Sequence, residues 1–228
     1  MFAVVFEVLP APGRKDEYLA LAGGLRPILE SIDGFLDNER FFSMTRPGWL
    51  LSLSTWRDEK SVIRWRTQEK HHETQSLGRG GVFAGYHLRV CEIAADTDPP
   101  PGLSMTGQRF DETETGAAKY LGLTTMSSPA APADPDLDTN AAGLVEHDTF
   151  ESLTTPGKTI FLTGWKDAAA AKAWCSQAPS GVAAPRHRSM RVIRDYTLLD
   201  RREAPQYHPP PPAEPAARHA VTDPRRAP

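Results

Sequence analysis

Residues 41–65, FFSMTRPGWLLSLSTWRDEKSVIRW, recur in altered form as residues 150–174, FESLTTPGKTIFLTGWKDAAAAKAW, and this recurrence decides the fold. With Pro47 laid on Pro156 there are nine identities in 25 ungapped positions: Phe41/Phe150, Ser43/Ser152, Thr45/Thr154, Pro47/Pro156, Gly48/Gly157, Leu53/Leu162, Trp56/Trp165, Asp58/Asp167 and Trp65/Trp174. Two of them join tryptophans, the scarcest coincidence in a chain with only five. A repeat of this length marks a duplicated structural unit. Downstream, His87-Leu88-Arg89-Val90 corresponds to Ser189-Met190-Arg191-Val192 at a smaller offset, so the second copy has lost residues after its helix.

Working outward from the first copy gives the unit. FAVVFEV at 2–8 is a β-branched and aromatic run closed by Pro10-Ala11-Pro12-Gly13, a strand and turn. Over 14–32 the residues Tyr18, Leu21, Leu25, Leu29 and Ile32 step by threes and fours, which predicts one amphipathic helix ending near Asp33-Gly34. A strand at 35–44 turns at Arg46-Pro47-Gly48 into a third, Trp49 to Trp56, with Leu51 and Leu53 on one face and Ser52 and Ser54 on the other. Asp58 reads as the N-cap of a helix running to about Leu77, and 83–93 as a fourth strand.

The order β-α-β-β-α-β is ferredoxin-like and leaves one sheet face bare. Two such units can cover each other's bare faces, so the fold class is α+β, with two ferredoxin-like units forming an intrachain dimeric α+β barrel. The expected units are residues 1–95 and a pared-down copy at 119–203. Between YLGLTTM at 120–126 and Phe150 the prolines leave little room for a long helix. A linker at 96–118, rich in small, polar and proline residues, tethers the copies at high effective concentration. Residues 204–228, with eight prolines, form a tail expected to be extended or disordered. Pairing of these pseudo-dimers into a homo-oligomer stays open.

Composition narrows the function classes. The 228 residues carry 26 Lys+Arg against 29 Asp+Glu, net −3, which offers no basic field for nucleic acid or an anionic membrane. No stretch is apolar for about 18 residues, the length a membrane span needs, and the apolar start lacks the charged flank of a signal peptide. Cys91 and Cys175 are too few for a disulfide scaffold or a zinc site, and suggest reduced thiols in a cytoplasmic protein. His71, His72 and Glu73 splay around a helix instead of converging, so no metal is expected. GxGxxG, GxxxxGK and GxSxG motifs are absent.

The densest constellation of reactive and aromatic side chains runs from Trp56 to Arg89. Trp65-Arg66, His71, Gln75, Gly78-Arg79, Phe83, Tyr86 and Arg89-Val90 together resemble the helix-to-last-strand signature of the antibiotic-biosynthesis-monooxygenase family, whose members form dimeric α+β barrels. The resemblance covers residues 2–93 well, and the second copy only through its hairpin and tryptophans. It implies a pocket between the helices and the helix-bearing face of the sheet. It also implies a monooxygenase that oxidises a small aromatic, phenolic or quinol-like substrate with O2 and no bound cofactor. In that reading Trp56, Trp65, Gln75, Phe83 and Tyr86 contact substrate, Arg79 stabilises a phenolate, and His71 or His72 takes the proton. The signature selects His71. An unbroken helix selects His72, seven residues beyond Trp65 and nearly above it.

Each residue also has a purely structural reading. The tryptophans can be hairpin packing, Arg79 can bond helix-end carbonyls, and the histidines can be a solvated helix feature. Two alternatives stand beside the oxygenase. One is heme binding or degradation through His71 or His72. Against degradation, the histidines follow Trp65 too closely, and apolar Phe6 stands where the heme-degrading members have an asparagine. The other is a non-catalytic protein that holds a small hydrophobic ligand.

Overall fold

The computed structural model describes residues 1–103, 105, 107–127, 138, 140–175 and 185–205. The strands are β1 (Phe2–Pro10), β2 (Phe35–Ser43), β3 (Leu50–Trp56), β4 (Phe83–Asp96), β5 (Tyr120–Ser127), β6 (Leu144–Ser152), β7 (Lys158–Trp165) and β8 (Arg186–Thr197). The helices are α1 (Lys15–Gly24), α2 (Arg26–Glu30), α3 (Glu59–Arg66), α4 (Glu69–Leu77) and α5 (Ala168–Cys175). Strand β1 is apolar on both faces because both are covered. Ala3 and Val5 point into a core shared by the two halves, while Val4 and Phe6 meet the helices.

The eight strands close into one barrel in the order β1-β3-β2-β6-β7-β5-β8-β4. Within it each half keeps the ferredoxin-like order, β4-β1-β3-β2 and β8-β5-β7-β6. The expected α+β barrel of two half-units within one chain is the observed fold. Its interior is filled from both sides: Phe41, Leu51 and Leu53 meet Phe150, Ile160 and Leu162. The seams between halves differ in length. β2 meets β6 only from Phe41↔Ser152 to Ser43↔Phe150, whereas β4 meets β8 from His87↔Thr197 to Asp96↔Arg188.

The repeated residues do the same physical work twice. Pro47-Gly48 and Pro156-Gly157 make the hairpin turns, with Gly48 at φ 84° and Gly157 at φ 73°, backbone that glycine adopts without Cβ strain. The indole N–H groups of Trp56 and Trp165 donate to the hydroxyls two residues back, Ser54 and Thr163, each at 2.9 Å. Asp58 accepts from the Ser61 N–H at 2.8 Å and Asp167 from the Ala170 N–H at 2.9 Å, capping α3 and α5. Across the short seam, Ser43 donates to Asp148 and Ser152 to Glu39. Position 39 and position 148 are themselves related by the repeat.

A charge cluster spans the halves inside the barrel. The fully buried Arg89 guanidinium donates to Glu7 of its own half and Glu146 of the other, and Arg46 donates to both Glu7 and Asp148. Cys91, next along the interior face, has its thiol pushed up to about 12 by burial, so it stays protonated and unreactive at neutral pH.

Three expectations need revision. The 14–32 helix is two, α1 and α2, interrupted around Leu25, where Gly23-Gly24 weaken the helix and Pro27 has no N–H to give. The 58–77 helix is also two. Thr67 Oγ1 donates to the Ile63 carbonyl at the end of α3, and Gln68 turns extended (φ −65°, ψ 128°), its side chain accepting from the His71 N–H to start α4. The segment between the halves is not a loose tether either. Leu103 and Met105 pack on the barrel core, and the Thr113 N–H bonds the Val192 carbonyl. The tail from residue 206 lies outside the described residues.

Candidate functional site

A cavity of about 200 Å3 lies between α1–α4 and the outer faces of β1, β2, β3, β4 and β8. Its floor is Val4, Phe6, Leu88 and Val90; Leu21, Leu25, Val62 and Ile63 form the helical wall. The outward-facing serines of β3, Ser52 and Ser54, also reach it.

The break between α3 and α4 sets one side. Because the helix restarts at Glu69, the His71 ring lies flat on the Trp65 indole, with centroids 4.0 Å apart and planes 13° apart. Its Nδ1 lies 2.9 Å from the Trp65 carbonyl oxygen, which can only accept, so the proton sits on Nδ1. The Nε2 lone pair then faces the Gln75 amide nitrogen at 3.4 Å. Burial pushes the His71 pKa down to about 4, and the ring is neutral at pH 7. It therefore works first as a fixed hydrogen-bond acceptor, with little strength as a ground-state base.

Opposite lies a cluster of aromatic rings. Phe83 sits 5.9 Å from both Phe6 and Tyr18 in edge-on contacts, and Tyr86 is 5.7 Å from Phe6. Gly78 is needed beside them: a Cβ there would come within 2.3 Å of the Phe83 ring. Burial raises the Tyr18 phenol, with Arg40 beside it pulling the other way.

The far end is basic. Arg79 reaches it from the turn after α4, and Arg201 from the segment after β8; the Arg201 guanidinium donates to the Tyr86 hydroxyl and lies 5.7 Å from the Tyr196 ring centre. Burial pushes the Tyr196 phenol up to about 12, against the opposing pull of Arg201, Arg66 and Arg79. Arg79 is lowered by burial and by the nearby charge of Arg201.

Of the residues singled out in the sequence, His71, Arg79, Trp65, Gln75, Phe83 and Tyr86 are brought together around this cavity. Trp56 and His72 do not line it. Trp56 is fully buried in packing against Phe35, with rings 5.4 Å apart, and among Phe2, Leu29 and Val62. His72 is turned aside by the helix break that brings His71 in. Sequence reasoning missed Tyr18, Arg40, Arg194, Tyr196 and Arg201. Tyr18 was legible only as a stripe residue. Arg194 and Tyr196 belong to the second copy, and only barrel closure along the long seam carries them to the first copy's pocket.

The geometry defines a class: a closed α+β barrel of two ferredoxin-like halves, with an apolar, arginine-rimmed pocket under the helices of the first. The antibiotic biosynthesis monooxygenase family matches residues 1–77. A protein named jasmonate monooxygenase ABM, from Pyricularia oryzae, is 40% identical over 223 residues, covering 92% of this chain and 99% of that protein. This chain belongs to the antibiotic biosynthesis monooxygenase family. Among solved structures it is similar to an anthrone oxidase-like protein (16% identity, 86% of this chain and 92% of that one, TM-score 0.35). It is also similar to a conserved protein from Methanosarcina mazei Go1 (19% identity, 39% of this chain and 88% of that one, TM-score 0.37).

Proposed function

We propose that this chain is a monooxygenase that oxidises a small, largely apolar substrate with O2 in the pocket beneath α1–α4, without a bound cofactor. Family membership supports monooxygenase activity in general. The observation that carries the specific reading is the pairing, inside one apolar cavity, of a neutral His71–Gln75 acceptor–donor couple with the Arg79 guanidinium.

The electron balance selects among substrates. A methylene or phenol activated by an aryl ring or a carbonyl loses a proton, and the resulting anion passes electrons to O2. One oxygen atom stays as a carbonyl and the other leaves as water, with the substrate supplying all four electrons. The proton passes to the His71 Nε2 lone pair and ends in the departing water, Arg79 stabilises the anion, and the Gln75 amide donates to its oxygen. The aromatic cluster excludes water. Hydroxylation of an unactivated carbon would need two further electrons from a donor such as a reduced nicotinamide. The relative named for jasmonate brings that compound into the test beside the quinols and phenols. Against heme, the His71 ring is covered by Trp65 and its Nε2 faces Gln75.

The test is oxygen uptake over a panel of hydroquinones, anthrone-type phenols and jasmonate, each with and without a reduced nicotinamide, using heavy-isotope O2. The expected result is uptake without added reductant for at least one activated substrate and one heavy atom in the product. Uptake no greater than that of H71A across the panel, or product oxygen drawn from water, sinks the reading. A Soret band on hemin titration that H71A abolishes would replace it with heme binding.

A further inference from the structure

Resting on the pocket reading above, we infer that the substrate carries a second oxygen, a carbonyl remote from the reacting carbon, held by Arg40, Ser52 and Ser54 on the β2–β3 side of the cavity. The register of the sheet makes the case. Arg40, Ser52, Phe6, Leu88 and Tyr196 stand opposite one another in one row across β2, β3, β1, β4 and β8. Asn38, Ser54, Val4, Val90 and Arg194 form a second row two residues along each strand, on the same face. Both rows line the cavity. The β2–β3 end of each row is polar, and the middle, over β1 and β4, is apolar. A ligand lying along the rows is matched when it is polar at that end and apolar behind it.

The polar end is a notch of donors. Arg40 Nη2 donates to the Ala22 carbonyl at 3.3 Å, which ties the guanidinium to α1, while its buried Nε–H meets no acceptor. Such an orphan donor costs stability that a ligand oxygen would restore. Asn38 Nδ2 donates to Ser52 Oγ at 3.1 Å and to the Leu53 carbonyl at 3.0 Å. That carbonyl can only accept, so the amide nitrogen is the atom that faces both. The Trp56 indole N–H donates to Ser54 Oγ. Each serine oxygen thus already receives a bond and keeps its own proton to give. A carbonyl oxygen, with two lone pairs and no proton, suits this set.

Spacing adds a length to the chemistry. Trp65, on which His71 is stacked, packs in one apolar cluster with Val4 and Val90 over β1 and β4. From β2 to β1 is two strand gaps, roughly 10 Å. The notch therefore reads how far the second oxygen stands from the carbon that is oxidised.

The experiment is calorimetric titration of the full chain with 4-(3-oxobutyl)phenol and with 4-butylphenol, which lacks only the ketone oxygen. With its chain extended, the ketone holds its two oxygens about two strand spacings apart. Expected is tighter binding of the ketone by about tenfold, the effect of one hydrogen bond from a charged donor. That preference should fall toward unity in R40M. In S52A, which leaves the Arg40–Ala22 bond in place, it should fall by about threefold. Equal binding of the two phenols by the parent chain overturns the subsite, and so does a preference that survives S52A and R40M intact. Should R40M fail to fold, S52A alone decides. Oxygen uptake on quinols without a side-chain oxygen tests the earlier reading separately: its loss sinks monooxygenation, whereas uptake with no ketone preference sinks only the subsite.

Discussion

The two halves share an interior and differ outside. Facing inward, the first copy offers Phe41, Leu51 and Leu53 and the second Phe150, Ile160 and Leu162, and the same turns, caps and indole bonds hold both. Outward, the first carries four helices over a cavity, while in the second Trp174 of α5 packs on Phe161 and Trp165, with ring centres 5.5 Å and 6.4 Å away. Trp65 and Trp174 occupy matched positions, yet one stacks on a pocket histidine and the other fills a core. In the second half the matched residues that are described build turns, caps and the barrel interior.

The largest effect should come where the halves interlock. Arg89→Ala takes from the buried Glu7 one of its two guanidinium partners, leaving only Arg46, and the loss should be about 3 kcal/mol by denaturant titration. If instead the variant is near wild type, the interior cluster is not what joins the halves. The matched tryptophans come next. Trp174→Ala should cost roughly 3 kcal/mol in stability and leave KM nearly alone, as removal of a packed core ring does. Trp65→Ala should do the reverse, with a smaller stability loss and a raised KM; equal behaviour would erase the contrast drawn above.

The histidines sharpen the same point through pH. His71 has its pKa lowered to about 4 by burial, so the folded form resists protonation that the unfolded chain accepts near 6.5. Stability from this group is therefore full above about 6.5 and lost as the pH falls toward 4. His71→Gln should flatten that limb of the curve when stability is measured by denaturant titration across pH 4–7. Smallest are the caps: Asp58→Ala and Asp167→Ala should each cost about 1 kcal/mol by thermal melting, similar in the two halves.

How far the sequence was legible follows the same division. Whatever the repeat preserves could be read directly, because identity at Pro47/Pro156 or Asp58/Asp167 reports a backbone need that both copies share. The closed barrel followed from the bare sheet face. The helix break at Thr67–Gln68 could not be read, since no proline or glycine marks it; the local hydrogen bonds of Thr67 and Gln68 decide it, and with it the choice of His71 over His72. Trp56 misled because an aromatic next to a signature is as easily packing as contact. Tyr196 and Arg201 were invisible for a different reason. Tyr196 lies 131 positions beyond Trp65 and Arg201 lies 122 beyond Arg79, and only the three-dimensional seam makes them neighbours.

The unequal seams give the barrel a handedness of opening. Along β2–β6 three residue pairs hold the edge, and along β4–β8 nine do. Like a door with its latch on one side and its hinge on the other, the barrel should first part at the latch, with the Met44 amide, which bonds the Thr149 carbonyl across it, exchanging with solvent before those of Leu88 to Glu92. The pocket is mounted on the hinge side, through Tyr86, Leu88, Arg194 and Tyr196. A partly opened molecule can therefore keep its binding wall assembled while its interior breathes.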